Sequence, residues 1–239
     1  MLEAVGGLLA GLLAGTFGVG GGAITIPFLV FMLGLPLPMA IATNLVIVSI
    51  NSIISMMVHL RQGTTNWRGI YMGSVGAATT LLGNELFLFA SKYNVLNYVV
   101  GGVFVSLALV LMRIVDGYKE PQVWELVTVG ALMGIYSALV GKGGGSLALP
   151  LLVMLFKVRT KEAVKVNVVA TPIVASTAAL EKVSMGMASL DTAFKFIPFM
   201  LLGSVVGAKV MKISKSETLK KAYSAFLFVV GASFILLGH

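Results

Sequence analysis

The chain reads as a succession of long apolar runs separated by short polar breaks. Residues 4–60 contain no Asp, Glu, Lys or Arg, and a membrane-crossing helix needs only about 20 apolar residues. Inside this run lies Gly18-Val19-Gly20-Gly21-Gly22, where each glycine costs a helix about 1 kcal/mol relative to alanine. The run therefore divides into two short fragments, Leu2 to Phe17 and Ile26 to Leu35, and a full-length segment at 38–60. Further apolar segments are expected at 69–91, 95–115, 124–156 (again interrupted by glycines), 163–183, 190–211 and 217–238. The predicted class is an all-α membrane protein with seven to eight hydrophobic helical segments.

The pattern occurs twice. Gly7, Gly11, Gly18, Gly20, Gly21, Gly22 and Pro27 recur, always 123 residues later, as Gly130, Gly134, Gly141, Gly143, Gly144, Gly145 and Pro150. The same spacing carries Ala40 and Asn44 onto Ala163 and Asn167, Gly63 onto Gly186, and Leu96 onto Leu219. One register held over some ninety residues points to duplication, with the polar stretch Asp116 to Pro121 as the link. The expected units are 1–118 and 119–239, two homologous repeats with glycine-broken first helices, together one membrane domain.

Charge distinguishes parallel from inverted halves. If each glycine-broken segment dips in and returns, the halves are inverted, and thirteen Lys and Arg fall on one side against Lys92, Lys182 and Lys195 on the other. If it spans, the halves are parallel and the split is ten to six. Basic residues collect on the cytoplasmic side, so the inverted arrangement is preferred, with both termini outside. The start Met1-Leu2-Glu3 lacks the basic region and cleavage site of a secretory signal, so the first segment is expected to be retained.

Composition narrows the chemistry. Of 239 residues, 58% are hydrophobic and 11% charged, with mean hydropathy +1.00; soluble domains carry about 25% charged residues. With no cysteine and only His59 and His239, thiolate and histidine-rich metal sites are not expected. The net charge of +8 is assigned to cytoplasmic loops and not to nucleic-acid binding. No Ser/His/Asp constellation or HExxH motif supports an embedded protease, and no Gly-Lys-Ser/Thr follows the glycines as a phosphate loop requires. The chain is read as a non-enzyme without cofactor.

Non-helical backbone at membrane depth survives only buried in protein or lining a cavity, so the glycine breaks are the candidate site. The residues placed there are Gly20, Gly21, Gly22, Gly141, Lys142, Gly143, Gly144 and Gly145, with Asn44 and Asn167 at matched positions one helix later. Glycine lets amide N–H groups approach a ligand; Pro27 and Pro150 suit the first turn of a following half-helix, whose positive end favours an anion. Lys142 is the one cation inside a break, with snorkelling toward the surface as the competing account. The asparagines either bind ligand or bond between helices. Gly7, Gly11 and Gly15, four apart, suit close helix packing. Thr43, Ser49, Asn51, Ser52, Thr171 and Ser176 are weaker members of the same polar lining. Glu85 is the candidate for a coupling proton, although Lys92 two turns on also suits an outer-end position, and Glu181 and Asp191 read as loop-end charges.

The stretch Ala14 to Pro27, then Ala40-Ile-Ala-Thr-Asn44, and the echo in Gly141 to Pro150 and Ala163-Val-Lys-Val-Asn167 resemble the TauE/SafE family of sulfite exporters and membrane transporters. The likeness covers essentially the whole chain. It implies a multi-pass protein of a bacterial or archaeal inner membrane, built from two homologous halves and carrying anionic sulfur compounds such as sulfite, sulfonates or sulfoacetate. The second half departs from the first by holding Lys142 inside the glycine run and Lys165 in place of Ala42.

The resulting expectation is a secondary transporter of small sulfur-containing anions in the cell (inner/plasma) membrane, working by alternating access at a midplane site between the repeats. The other readings are an anion channel, or a transporter of another small organic anion. The partners expected are the anion, the lipid bilayer, a coupling proton or sodium ion, and a second copy in a homodimer.

Overall fold

The computed structural model describes residues 2–17, 22–93, 95–112, 117–213 and 216–237. Its helices are α1 (Leu2–Phe17), α2 (Gly22–Pro27), α3 (Leu37–Arg61), α4 (Gly69–Lys92), α5 (Leu96–Met112), α6 (Val123–Val140), α7 (Gly145–Pro150), α8 (Thr160–Ser184), α9 (Leu190–Ile213) and α10 (Ser216–Leu237). Among the described residues the only β pairing is a parallel bridge between Lys119 and Val158. The elements follow the hydropathy to within a few residues.

One expectation fails at the prolines. Pro27 and Pro150 close α2 and α7 and do not open a half-helix. The half-helices start directly at Gly22 and Gly145, so each proline falls at the sixth residue. Lacking an N–H for the α ladder, each is followed at once by a π-helical turn, Phe28–Met32 and Leu151–Leu155.

Element lengths recur along the chain: 25 residues in α3 and α8, 24 in α4 and α9. Left-handed backbone recurs as well. Gly34 (φ +68°) and Lys157 (φ +57°) each follow a π turn, and Gly63 (φ +64°) and Gly186 (φ +68°) follow α3 and α8.

Helix α1 packs along α9, α6 along α4, α3 against α8 and α5 against α10. Small residues permit the closest approaches: a Cβ on Gly11 would collide with the Met200 carbonyl, and one on Gly134 with the Gly76 carbonyl. Such contacts hold helices together where lipid supplies no hydrophobic drive, in agreement with the packing role expected for Gly7 and Gly11. Helices α3 and α8 cross in opposite directions. Ser189 N, beyond the end of α8, donates to Thr43 Oγ1 near the start of α3 at 3.0 Å. At the other end Asn66 N, beyond α3, donates to Lys165 O near the start of α8 at 3.2 Å.

Charge gathers at that second end. Arg159 pairs with Glu120 at 3.2 Å and Lys165 with Glu162 at 2.8 Å, Lys119 pairs with Glu125, and Arg68 reaches the Pro121 carbonyl. Exposed Trp67, Tyr71, Tyr118 and Trp124 lie there, with exposed Tyr93 and Tyr98 at the opposite end, the placement of aromatic belts at membrane interfaces. Between the belts the described outer surface is mostly apolar, carrying Leu81, Leu82, Phe89, Leu202, Val205 and Leu236, with Glu85 as an exposed carboxylate on α4.

Among the described residues, α3, α6 and α8 are long and apolar enough to cross a membrane, and α4 with α5, bent by 120°, makes a fourth if the pair is one span. Shorter apolar helical stretches among the described residues run over Glu3–Leu12, Gly145–Leu155 and Ser224–Leu236.

Candidate functional site

The break of the second half is a local consequence of its glycines. Helix α6 ends when Gly141 turns left-handed (φ +78°), its N–H still bonded to Ser137 O at 2.8 Å. Gly143 and Gly144 are left-handed too, a conformation that strains any residue with a Cβ, and α7 starts at Gly145. The chain then returns to where α6 began: Trp124 meets Phe156 edge-on, ring centroids 5.2 Å apart, and Lys119 pairs with Val158. In the first half Gly20 and Gly21 lie outside the described residues. Phe28, opening the first π turn, packs on Gly6 near the start of α1.

The two halves meet at Lys142. An added Cβ on Gly22 would lie 2.7 Å from Asn44 Nδ2 and 3.3 Å from Lys142 Cα, so the start of α2, the wall of α3 and the second break share one point. Asn44 Nδ2 donates to the Gly141 carbonyl, tying α3 of one half to the break of the other. Lys142 is 4% exposed. Its Nζ sits 3.4 Å from the centroid of Phe104 on α5 and has no hydrogen-bond partner among the described residues, nor has Asn44 Oδ1. A ring face attracts a cation but supplies no acceptor lone pair, and a buried charge without a counter-charge is costly. This environment does not suit snorkelling.

Asn167 occupies the corresponding place in the second half but bonds within it, Nδ2 to Gly145 O at 3.4 Å, while Thr171 Oγ1 donates to Asn167 Oδ1 at 3.2 Å. Gly145 packs on both side chains. Gly143 packs against Val48 and Gly144 against Met133, so these two shape the turn and do not face the Asn44–Lys142 cluster. Below them Tyr136 Oη and Ser146 Oγ hydrogen-bond at 3.1 Å. Glu85 is exposed on α4 and joins neither asparagine.

Two features had no local signal. Phe104, the cap on Lys142, comes from a helix remote in sequence. Glu181, read as a loop-end charge, and Lys182, counted only for the side of the membrane it falls on, are packed inside: Lys182 is 0% exposed and Glu181 accepts from α4. The adjacent α4 presents Thr80 and Asn84 one turn apart, a polar pairing visible only once the helices are packed.

An α-helical bundle with a largely apolar exterior, aromatic belts and broken helices meeting around a buried lysine defines a membrane-embedded protein with an internal polar cluster. Residues 3–234 match the sulfite exporter TauE/SafE family, and the chain belongs to that family of membrane transporters. It is 26% identical to a probable membrane transporter protein of Methanocaldococcus jannaschii over 96% of this chain and 93% of that one. It is 27% identical to the probable membrane transporter protein YjnA of Bacillus subtilis over 84% of each chain, and 22% identical to YunE of the same organism over 97% and 96%.

Proposed function

We propose that this chain is a secondary transporter of the inner or plasma membrane for a small sulfur-containing anion of the sulfite, sulfonate or sulfoacetate type. The anion is bound at the midplane, where the break Gly141 to Gly145 meets Gly22 and Asn44. The reading is carried by Lys142: a buried lysine amine without an acceptor, whose charge a bound anion would balance, flanked by a side-chain amide with one N–H to spare, suits a compact oxyanion. Asn167 and Thr171 form the matching half-site. The family's description as sulfite exporters supports the substrate class.

Alternating access follows if units 1–118 and 119–239 are inverted repeats. Supporting this are the opposed directions of α3 and α8, the exchanged pairings of α1 with α9 and α6 with α4, and the matched left-handed positions. The basic end bearing Arg68, Lys119, Arg159 and Lys165 is then cytoplasmic.

The test is thermal stabilisation of the purified protein by sulfite, thiosulfate, sulfoacetate, taurine and carboxylate analogues, since a ligand that binds only the folded form raises stability by mass action. A sulfur oxyanion should stabilise the wild type, and Lys142→Met should weaken that binding by tenfold or more, for a charged hydrogen bond of about 1.5–3 kcal/mol. Equal affinity in wild type and variant would refute the assignment.

A further inference from the structure

A second buried polar cluster lies between α4 and α8. Thr80 Oγ1 donates to Glu181 Oε1 at 2.7 Å, and Asn84 Nδ2 donates to Glu181 Oε2, so both carboxylate oxygens are held by α4. The next residue, Lys182, is fully buried with its Nζ 3.1 Å from the centroid of Phe87. Among the described residues that Nζ has no acceptor and Asn84 Oδ1 has no donor. A donor without an acceptor and an acceptor without a donor therefore stand in one cluster, next to an acid that α4 already satisfies.

We infer that Glu181 and Lys182, with Thr80 and Asn84, form the binding site for a proton that drives transport. This rests on the transporter reading above. The packing serves two states of one side chain. As a neutral amine, Lys182 lies on the Phe87 ring while α4 holds Glu181. On taking a proton from one aqueous side the amine becomes an ammonium, whose counter-charge is the Glu181 carboxylate and whose open acceptor is Asn84 Oδ1. Moving Glu181 toward that ammonium loosens its bonds to Thr80 and Asn84, so the proton changes how α4 is tied to α8. Release of the proton on the other side restores the first arrangement.

No other charge competes among the described residues packed on α8. From α4, Glu85 and Lys92 are exposed, and Tyr71 lies at its far end. From α3, His59 and Arg61 are at the opposite end, His59 bonded to Thr64. From α6, Glu125 is paired with Lys119 and Tyr136 is bonded to Ser146. Helix α7 and the π turn after it carry no ionisable side chain. Beyond α8, Asp191 and Lys195 pair with each other at 2.6 Å on the surface.

Two measurements on the full chain test the site. In nanodiscs with 13Cε-labelled lysine, the Lys182 resonance, identified by its loss in Lys182→Met, should titrate within the pH range over which the protein stays folded, and Glu181→Gln should displace that titration. In liposomes with a trapped pH dye, an isethionate gradient should move protons through the wild type. Lys182→Met should lose the proton signal while keeping isethionate counterflow. A Lys182 resonance that stays fixed across the range, or proton movement by Lys182→Met equal to wild type, overturns the site. A titrating Lys182 in a wild type that carries no sulfonate overturns the transport reading and supports the proton site alone.

Discussion

Replacing Gly22 by alanine separates a ligand site from a packing scaffold. The added Cβ would stand 2.7 Å from Asn44 Nδ2 and 3.3 Å from both Cα and Cγ of Lys142. A carbon and a polar atom settle near 3.3 Å, so the Asn44 amide must withdraw by about 0.6 Å, away from the Gly141 carbonyl that it holds. The atom that yields first is the end of a side chain, so the cost is the loss of one hydrogen bond, about 1 kcal/mol. Folding should therefore stay within about 1 kcal/mol of wild type, while the Asn44–Lys142 geometry is lost and flux falls by tenfold or more. The control is Gly83→Ala, whose Cβ would lie 2.6 Å from the Ile135 carbonyl oxygen and 2.8 Å from Ile135 Cα. That backbone can yield only by parting α4 from α6, at about 1–3 kcal/mol. Thermal unfolding in micelles and substrate counterflow per folded molecule read the two effects separately. Normal flux from Gly22→Ala, or unfolding as easy as that of Gly83→Ala, would refute the reasoning.

Lys157 holds a left-handed backbone at the place where the first half uses Gly34, and Lys157→Gly should raise stability by about 1 kcal/mol, seen as a higher unfolding midpoint; an unchanged or lower midpoint would count against strain there. For topology, single cysteines at Glu120 and Lys161 should react with an impermeant thiol reagent from the cytoplasmic face, and cysteines at Lys92 and Asp191 from the outer face. Labelling of Lys92 and Lys161 from one face would exclude the inverted arrangement. The chain contains no cysteine of its own to confuse the result.

Most of the helical layout was legible in the chain because hydropathy and glycine act locally. A run without charge must be buried in lipid or protein, three adjacent glycines must interrupt a helix, and a register held across ninety residues marks the second half. Those signals placed α1 at Leu2–Phe17, the break at Gly141 to Gly145, and Asn44 and Asn167 near the breaks. Tertiary packing alone decided the rest, since it depends on which faces meet. Phe104 reaches Lys142 from α5, and no spacing rule relates a ring to a lysine so remote in sequence. Asn44 bonds to the break of the other half while Asn167 bonds to its own, an asymmetry invisible in two identical residues at matched positions. Glu181 and Lys182 look like the charged end of a helix when read along α8. The turn of that helix points Lys182 inward, and Thr80 and Asn84 on α4 receive Glu181. A side chain's burial is set by the neighbour packed against it, and that neighbour is chosen by the fold.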